Sequence, residues 1–326
     1  MIKNIKKVVV LGSGIMGSGI ACHLANVGLE VLLLDIIPKN EESNSNKQTR
    51  NTLVNISLKN AVKSKPSPLF TNSKLINITT GNFTDDFEKI NNYDWIIEVV
   101  VERLDVKKII FEKVDQFRKK GSLVSSNTSG IPIEMMLANR SDDFKNHFFG
   151  SHFFNPARYL RLLEIIPTQY TQKEIINFMI NFGEKILGKS TVICKDTPGF
   201  IANRIGVFAI QELFHAVGEM GISVGDVDAL TGPIMGRAKS ATFRTCDVVG
   251  LDTLIHVANG LKSNCPNDER NSIFNLPDFI HKMQENDWLG SKSGQGFYKK
   301  TIDKKGKKSI LELDLVSFEY KKSVKT

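Results

Sequence analysis

The chain has 326 residues, enough for two domains of ordinary size, and its 41% hydrophobic and 24% charged residues exclude a disordered or fibrous protein. A net charge of +8 is modest for this length, and the lysines are scattered except for a run at Lys299–Lys308 that has no interleaved aromatics. No nucleic-acid partner is therefore expected, and a small anionic ligand suits the charge as well. Cys22, Cys194, Cys246 and Cys265 lie far apart with no CxxC or Cys/His pattern, which argues for reduced thiols in a cytoplasmic protein and against a metal site.

In chain order, MIKNIKK runs directly into the β-branched strand Val8–Leu11, leaving no room for a secretory leader. The most apolar region, Val8–Leu34, is interrupted by five glycines, His23, Asn26 and Glu30, so no membrane span and no membrane partner are expected. Between that strand and the helix-spaced apolar residues up to Val27 stands Gly12-Ser13-Gly14-Ile15-Met16-Gly17, a GxGxxG. The first glycine permits a tight turn, and the second lets backbone approach a pyrophosphate. The third lets the helix pack on the sheet, and the helix N-terminus favours negative charge. A second strand, Val31–Leu34, ends at Asp35, which lies 18 positions past Gly17, where a carboxylate would accept the adenosine ribose hydroxyls. Ile36 and Ile37 follow, with no arginine for a 2′-phosphate, so the pattern predicts NAD rather than NADP.

A polar stretch, Lys39–Arg50, leads to a predicted helix, Thr52–Lys63, stopped by Pro66 and Pro68. Ile76–Thr79, Trp95–Val101 and Leu123–Ser125 read as short buried strands, with a helix over Val106–Phe117. Glu98 and Glu102 fall around the C-terminal end of the Trp95 strand, the edge where doubly wound sheets bind ligands. They also read as solvated charge, which is the reading preferred for Asp105. Ser126-Asn127-Thr128-Ser129 follows the next strand and reads as a capping turn, a ligand loop, or both.

In GSHFFNPARYLRLLEIIP, two extended apolar segments flank Asn155-Pro156-Ala157-Arg158, and His152 and Glu164 are each six positions from Arg158. Paired as a hairpin, these side chains would face each other, and the carboxylate could set the imidazole tautomer. A histidine in an apolar run also reads as a satisfied core residue. A nicotinamide on the same sheet favours a base for hydride transfer at a hydroxyl-bearing carbon. Past Pro198 helical spacing dominates, over Ile201–Ala216, Gly225–Leu230, Asp247–Leu261 and Asp278–Glu285, and ILELDLVSFEY reads as one or two edge strands. The expected fold is α/β: a Rossmann-like, doubly wound, mostly parallel sheet followed by an all-helical second domain. The expected boundaries are 1–196 for the NAD-binding domain, 197–300 for the substrate and dimerisation domain, and 301–326 for a C-terminal extension.

GSGIMGSGIA, SNTSG, SHFFNPARYLRLLEII, KDTPGFIANRI and SGQGFY, in order over nearly the whole chain, resemble the NAD-dependent L-3-hydroxyacyl-CoA dehydrogenases of fatty-acid β-oxidation. The segment from Gly232 to Leu261 resembles the version found in bacterial multifunctional proteins, in which an enoyl-CoA hydratase follows. The resemblance implies an acyl-CoA substrate, NAD and a natural chain fused to a hydratase, and the helical second domain points to a homodimer. It implies His152 as base, Glu164 as its orienter, Ser129 against substrate oxygen and nicotinamide, and Asn203 against substrate. For the cofactor it implies Gly12, Ser13, Gly14, Ile15, Met16, Gly17, Asp35, Glu102, Lys107, Asn155 and Lys292. For coenzyme A it implies Ser57 and a lysine of the Lys63–Lys65 stretch, Lys63 being first. The alternatives are a dehydrogenase of free 3-hydroxy acids, which the asparagine in FIANR disfavours, and a non-catalytic NAD-binding protein, whose sign would be loss of His152 or Glu164.

Overall fold

The computed structural model describes residues 4–302, 306 and 308–322. The chain divides into two units, Met1–Phe200 and Ile201–Thr326. In the first, β1 (Lys7–Leu11), α1 (Ile15–Asn26) and β2 (Glu30–Asp35) form the opening βαβ. Short α2 (Lys47–Arg50) is capped by the Asn46 side chain, and α3 (Thr52–Lys63) spans the expected helix. There follow β3 (Ile78–Asn82), β4 (Trp95–Glu98), α4 (Leu104–Phe117), β5 (Leu123–Ser126), α5 (Asp142–Asn146) and β6 (Phe148–Phe153). The unit closes with β7 (Leu162–Pro167), α6 (Lys173–Lys185) and β8 (Ser190–Ile193).

Among the described residues these strands form one eight-stranded sheet in the order β3-β2-β1-β4-β5-β6-β7-β8. The first six strands in chain order are parallel, and β7 and β8 run against them, β7 pairing antiparallel with β6 and parallel with β8. Chain order reverses between β1 and β4, the switch point beside which such sheets bind nucleotides. β1 and β2 read as apolar runs because both faces of the sheet are covered there. Val8 and Val10 pack with Ile20, Leu24 and Met179 of α1 and α6, whereas Val9 and Leu11 pack on the other face with Phe111 and Val114 of α4.

β4 stops at Glu98 rather than Val101, because the Glu98 carboxylate accepts the Val100 N–H at 2.7 Å and turns the chain out of the sheet. β3 starts later than Ile76, because residues Asn72–Asn77 form a 3-10 turn. The first unit extends past Asp196 to Phe200. Asp196 accepts the Ile133 and Glu134 N–H groups at 2.8 and 2.9 Å, and Phe200 packs into this unit's core.

The second unit holds α7 (Ala202–Met220), α8 (Val224–Thr231), α9 (Phe243–Val249), α10 (Leu251–Asn264) and α11 (Asp278–Glu285) around a core that includes Phe214, Phe243 and Phe297. The continuous helix expected over Asp247–Leu261 is instead broken at Gly250, whose φ of 100° leaves the helix, and the Leu251 N–H bonds the Leu289 carbonyl. The unit is helical as read, but it also carries an antiparallel three-stranded sheet of β9 (Tyr298–Ile302), β10 (Lys308–Leu313) and β11 (Tyr320–Lys322). Leu313, Leu315, Phe318 and Tyr320 pack on the helical core, so this stretch is part of the second unit.

Candidate active site

The β1–α1 turn is shaped by its glycines. Gly12 sits at φ +108°, and a Cβ there would stand 2.5 Å from the Val99 carbonyl oxygen. A Cβ on Gly17 would stand 1.9 Å from the Gly12 carbonyl oxygen, so the helix can begin here only if both residues lack side chains. Gly14, by contrast, faces open space. It opens α1 with no side-chain cap and no acid in the first turn, which leaves the helix N–H groups available to an anion. Asp35 ends β2 beside them. Its Oδ2 accepts the Ser13 N–H at 2.6 Å and the Ser13 hydroxyl at 2.5 Å, and its Oδ1 accepts the Ile36 N–H at 2.7 Å. A carboxylate offers about four lone-pair sites, so capacity for ribose hydroxyls remains on a side chain already fixed in direction.

His152 and Glu164 are register partners across β6 and β7, the outcome of two strands joined by a symmetric turn. His152 Nδ1 lies 2.6 Å from Glu164 Oε2, with the imidazole 5% exposed and the carboxylate fully buried. A carboxylate at that distance holds the proton on Nδ1 and leaves Nε2 as the basic nitrogen. Nε2 has no hydrogen-bond partner among the described residues. The rings of Phe154 and Phe200 flank the imidazole at 4.4 and 5.7 Å between centroids.

The loop after β5 is fixed by acids from the end of β4. Lys107, 1% exposed, donates to Glu98 Oε1 at 2.7 Å and lies 3.2 Å from Glu102 Oε2. Glu98 Oε2 accepts the Ser126 hydroxyl at 2.5 Å, and Glu102 Oε1 accepts the Thr128 hydroxyl at 2.5 Å and the Ser129 N–H at 3.1 Å. Burial pushes the Glu98 carboxyl above the usual carboxylate range despite Lys107. Burial presses upward on Glu102 too, but Lys107 and the Thr128 and Ser129 donors outweigh it and hold that carboxyl below its usual value. The Ser129 hydroxyl makes no hydrogen bond among the described residues. Asn127 Oδ1 accepts the Phe153 N–H at 2.9 Å and so ties this loop to the end of the strand that carries His152.

Residues 7–197 match the family description "3-hydroxyacyl-CoA dehydrogenase, NAD binding domain", and residues 199–300 match "3-hydroxyacyl-CoA dehydrogenase, C-terminal domain". The chain belongs to the 3-hydroxyacyl-CoA dehydrogenase family. A Bacillus subtilis protein named probable 3-hydroxyacyl-CoA dehydrogenase is 53% identical over 98% of this chain, which spans 41% of that protein's length. A Deinococcus radiodurans protein of the same name is 44% identical over 93% of this chain and 85% of its own length. The crystal structure of (S)-3-hydroxybutyryl-CoA dehydrogenase from Ralstonia eutropha superposes with a TM-score of 0.71 at 28% identity, over 90% of this chain and 98% of that one. The cofactor of this dehydrogenase family is NAD, and the open space at Gly14, the uncapped helix and the oriented Asp35 fit it.

In this member of the 3-hydroxyacyl-CoA dehydrogenase family, the first unit places Asp35, His152 and Glu164 on strands of one sheet, Glu102, Ser129 and Asn155 on its loops, Gly12 to Gly17 across the β1–α1 junction, and Lys107 in the first turn of α4. Two of the three Lys107 donors are engaged by Glu98 and Glu102. Ser57 is half-buried within α3 and Lys63 is its exposed last residue. Asn203 is in the first turn of α7 and Lys292 pairs with Asp252, both in the second unit. Sequence reasoning left Glu98 undecided and missed the tie made by Asn127. It also missed Lys189, for which Gly188-Lys189-Ser190 carries no pattern. Asp35→Ala is expected to weaken NADH binding by about 10- to 100-fold, the worth of hydrogen bonds to a charged group. It should also narrow the preference over NADPH; titration of both nucleotides checks it, and equal affinities in wild type and variant would refute the role.

Proposed function

We propose that the chain oxidises L-3-hydroxyacyl-CoA to 3-ketoacyl-CoA with NAD, and reduces the ketone in reverse. The buried His152–Glu164 pair at the nucleotide-binding edge carries this reading. His152 Nε2 accepts the proton of the 3-hydroxyl, and the Ser129 hydroxyl donates to the same oxygen. Bound NAD supplies the hydride acceptor. Glu164 stabilises the imidazolium as the proton arrives, and in the reverse direction the imidazolium returns that proton to the carbonyl oxygen. Phe154 and Phe200 limit water around the ring. Asn203 contributes a substrate contact, and Asn155 and Lys292 contribute cofactor contacts. Ser57 and Lys63 serve the coenzyme A portion.

NADH consumption with acetoacetyl-CoA, set against free acetoacetate, tests the reading. Oxidation with the thioester alone supports it, equal rates favour a free-acid dehydrogenase, and no rate with either favours a non-catalytic protein. Glu164→Gln should lower kcat by roughly 100-fold, the scale of a misdirected catalytic group. An unchanged kcat would separate the two residues. We further assign a homodimer, a cytoplasmic site of action and a longer natural chain bearing an enoyl-CoA hydratase. The greater length of the Bacillus subtilis relative supports the last, and no described helix is long and apolar enough to cross a membrane. Light scattering and sequencing of the complete gene check these assignments.

A further inference from the structure

The turn joining β6 to β7, residues 154–161, is held on two sides. On one, Arg158 donates to the Ser67 and Leu69 carbonyls, both at 2.8 Å, and the Tyr159 hydroxyl donates to the Ser67 carbonyl at 3.0 Å. On the other, Lys189, 4% exposed and immediately before β8, donates to the Ala157 carbonyl and, at 2.7 Å, to the Leu160 carbonyl. Its ammonium lies 5.9 Å from the centre of the Phe153 ring, and no carboxylate pairs with it among the described residues.

The charged and titratable neighbours offer it no compensation. His23 of α1 bonds the Leu187 carbonyl at 3.1 Å and is kept neutral, burial pulling it down to about 4, and Arg158 is a second cation. Burial likewise pulls Lys189 down to about 8. A buried ammonium without a carboxylate is costly, yet this one directs its hydrogen bonds to the carbonyls of a single turn. That turn begins two residues after His152, ends three before Glu164 and carries Asn155.

We propose that Lys189 is a positioning residue for the His152–Glu164 pair. By gripping the Ala157 and Leu160 carbonyls it sets the closure of the two strands, and with it the direction in which His152 Nε2 points. The proposal deepens the dehydrogenase reading and rests on it. A lysine that only supports the fold would change stability and leave the turnover of the folded enzyme alone.

Lys189→Met removes the ammonium while filling its space, and Lys189→Gln keeps an N–H donor without the charge. Each is assayed with acetoacetyl-CoA and NADH beside the wild type, and the low-field proton resonance of the His152 Nδ1–H shared with Glu164 is recorded. The expected result is a kcat about 10- to 100-fold lower in Lys189→Met, with KM and the NADH Kd within about twofold, and a shifted resonance. Lys189→Gln should recover part of both changes, and it carries the test if Lys189→Met does not fold. A folded variant with wild-type kcat and an unmoved resonance overturns the proposal, and so does a loss confined to KM. If the wild type itself does not turn over, the dehydrogenase reading fails, while the resonance still reports whether Lys189 positions the pair.

Discussion

His152→Ala is expected to lower kcat by about two to four orders of magnitude, the usual contribution of a positioned general base, with NADH affinity close to wild type. The proposed nucleotide contacts and the proposed base occupy different elements. Gly12, Gly17 and Asp35 belong to the β1–α1 turn, α1 and β2, whereas His152 is on β6 with β4 and β5 between. On the proposed reading, loss of the imidazole removes the proton acceptor without touching the groups proposed to orient the dinucleotide. Alanine also leaves a cavity between Phe154, Phe200 and the buried Glu164, so thermal stability should fall as well. His152→Asn separates the two effects. It keeps a donor for the carboxylate and most of the volume, yet it cannot accept the proton, so its turnover should be as low as that of the alanine variant. Turnover within about tenfold of wild type in either variant would remove His152 from the mechanism.

Lys107→Met is expected to produce the largest loss of stability, about 3–5 kcal/mol, because it strips the cation from a buried ion pair and leaves Glu98 without it. For a unit of this size that corresponds to a fall in Tm of about 10 °C. The pH dependence follows from Glu98, whose folded carboxyl already lies above its unfolded value because of burial and must rise further without Lys107. A carboxyl raised on folding binds a proton that the unfolded chain has released, so its stabilising contribution is present at low pH and is lost as pH rises through the folded value. The variant should be least damaged in mild acid and most damaged at neutral pH and above. Urea denaturation at both ends of that range measures this, and a pH-independent loss below about 1 kcal/mol would contradict it. Adding Glu98→Gln to Lys107→Met should restore part of the stability, because an amide in place of the carboxylate removes the unpaired charge.

Much of the first unit could be read directly. β1 and β2 carry contiguous apolar runs of strand length, and α3 and α11 have clear helical spacing with proline or polar stops. The spacing of His152 and Glu164 about Arg158 anticipated their pairing, because a symmetric turn leaves little freedom of register. Other elements needed the structure. α6 has its own period, with Ile175, Ile176, Met179 and Phe182 buried, and could have been found from it, but the half-exposed strand β8 has no such pattern. The helix expected across Gly250 breaks because that glycine takes a backbone angle its neighbours cannot.

The sequence by itself determined the glycine turn with its acid, the mostly parallel sheet, and the histidine–glutamate hairpin, all of which depend on residues close along the chain. Only the tertiary structure decided how that hairpin is held. The Asn127 tie to Phe153 joins residues 26 positions apart, and the Lys189 grip on Ala157 joins residues 32 apart. Buried polar atoms must find partners wherever packing brings them, and packing leaves no periodic trace in the sequence.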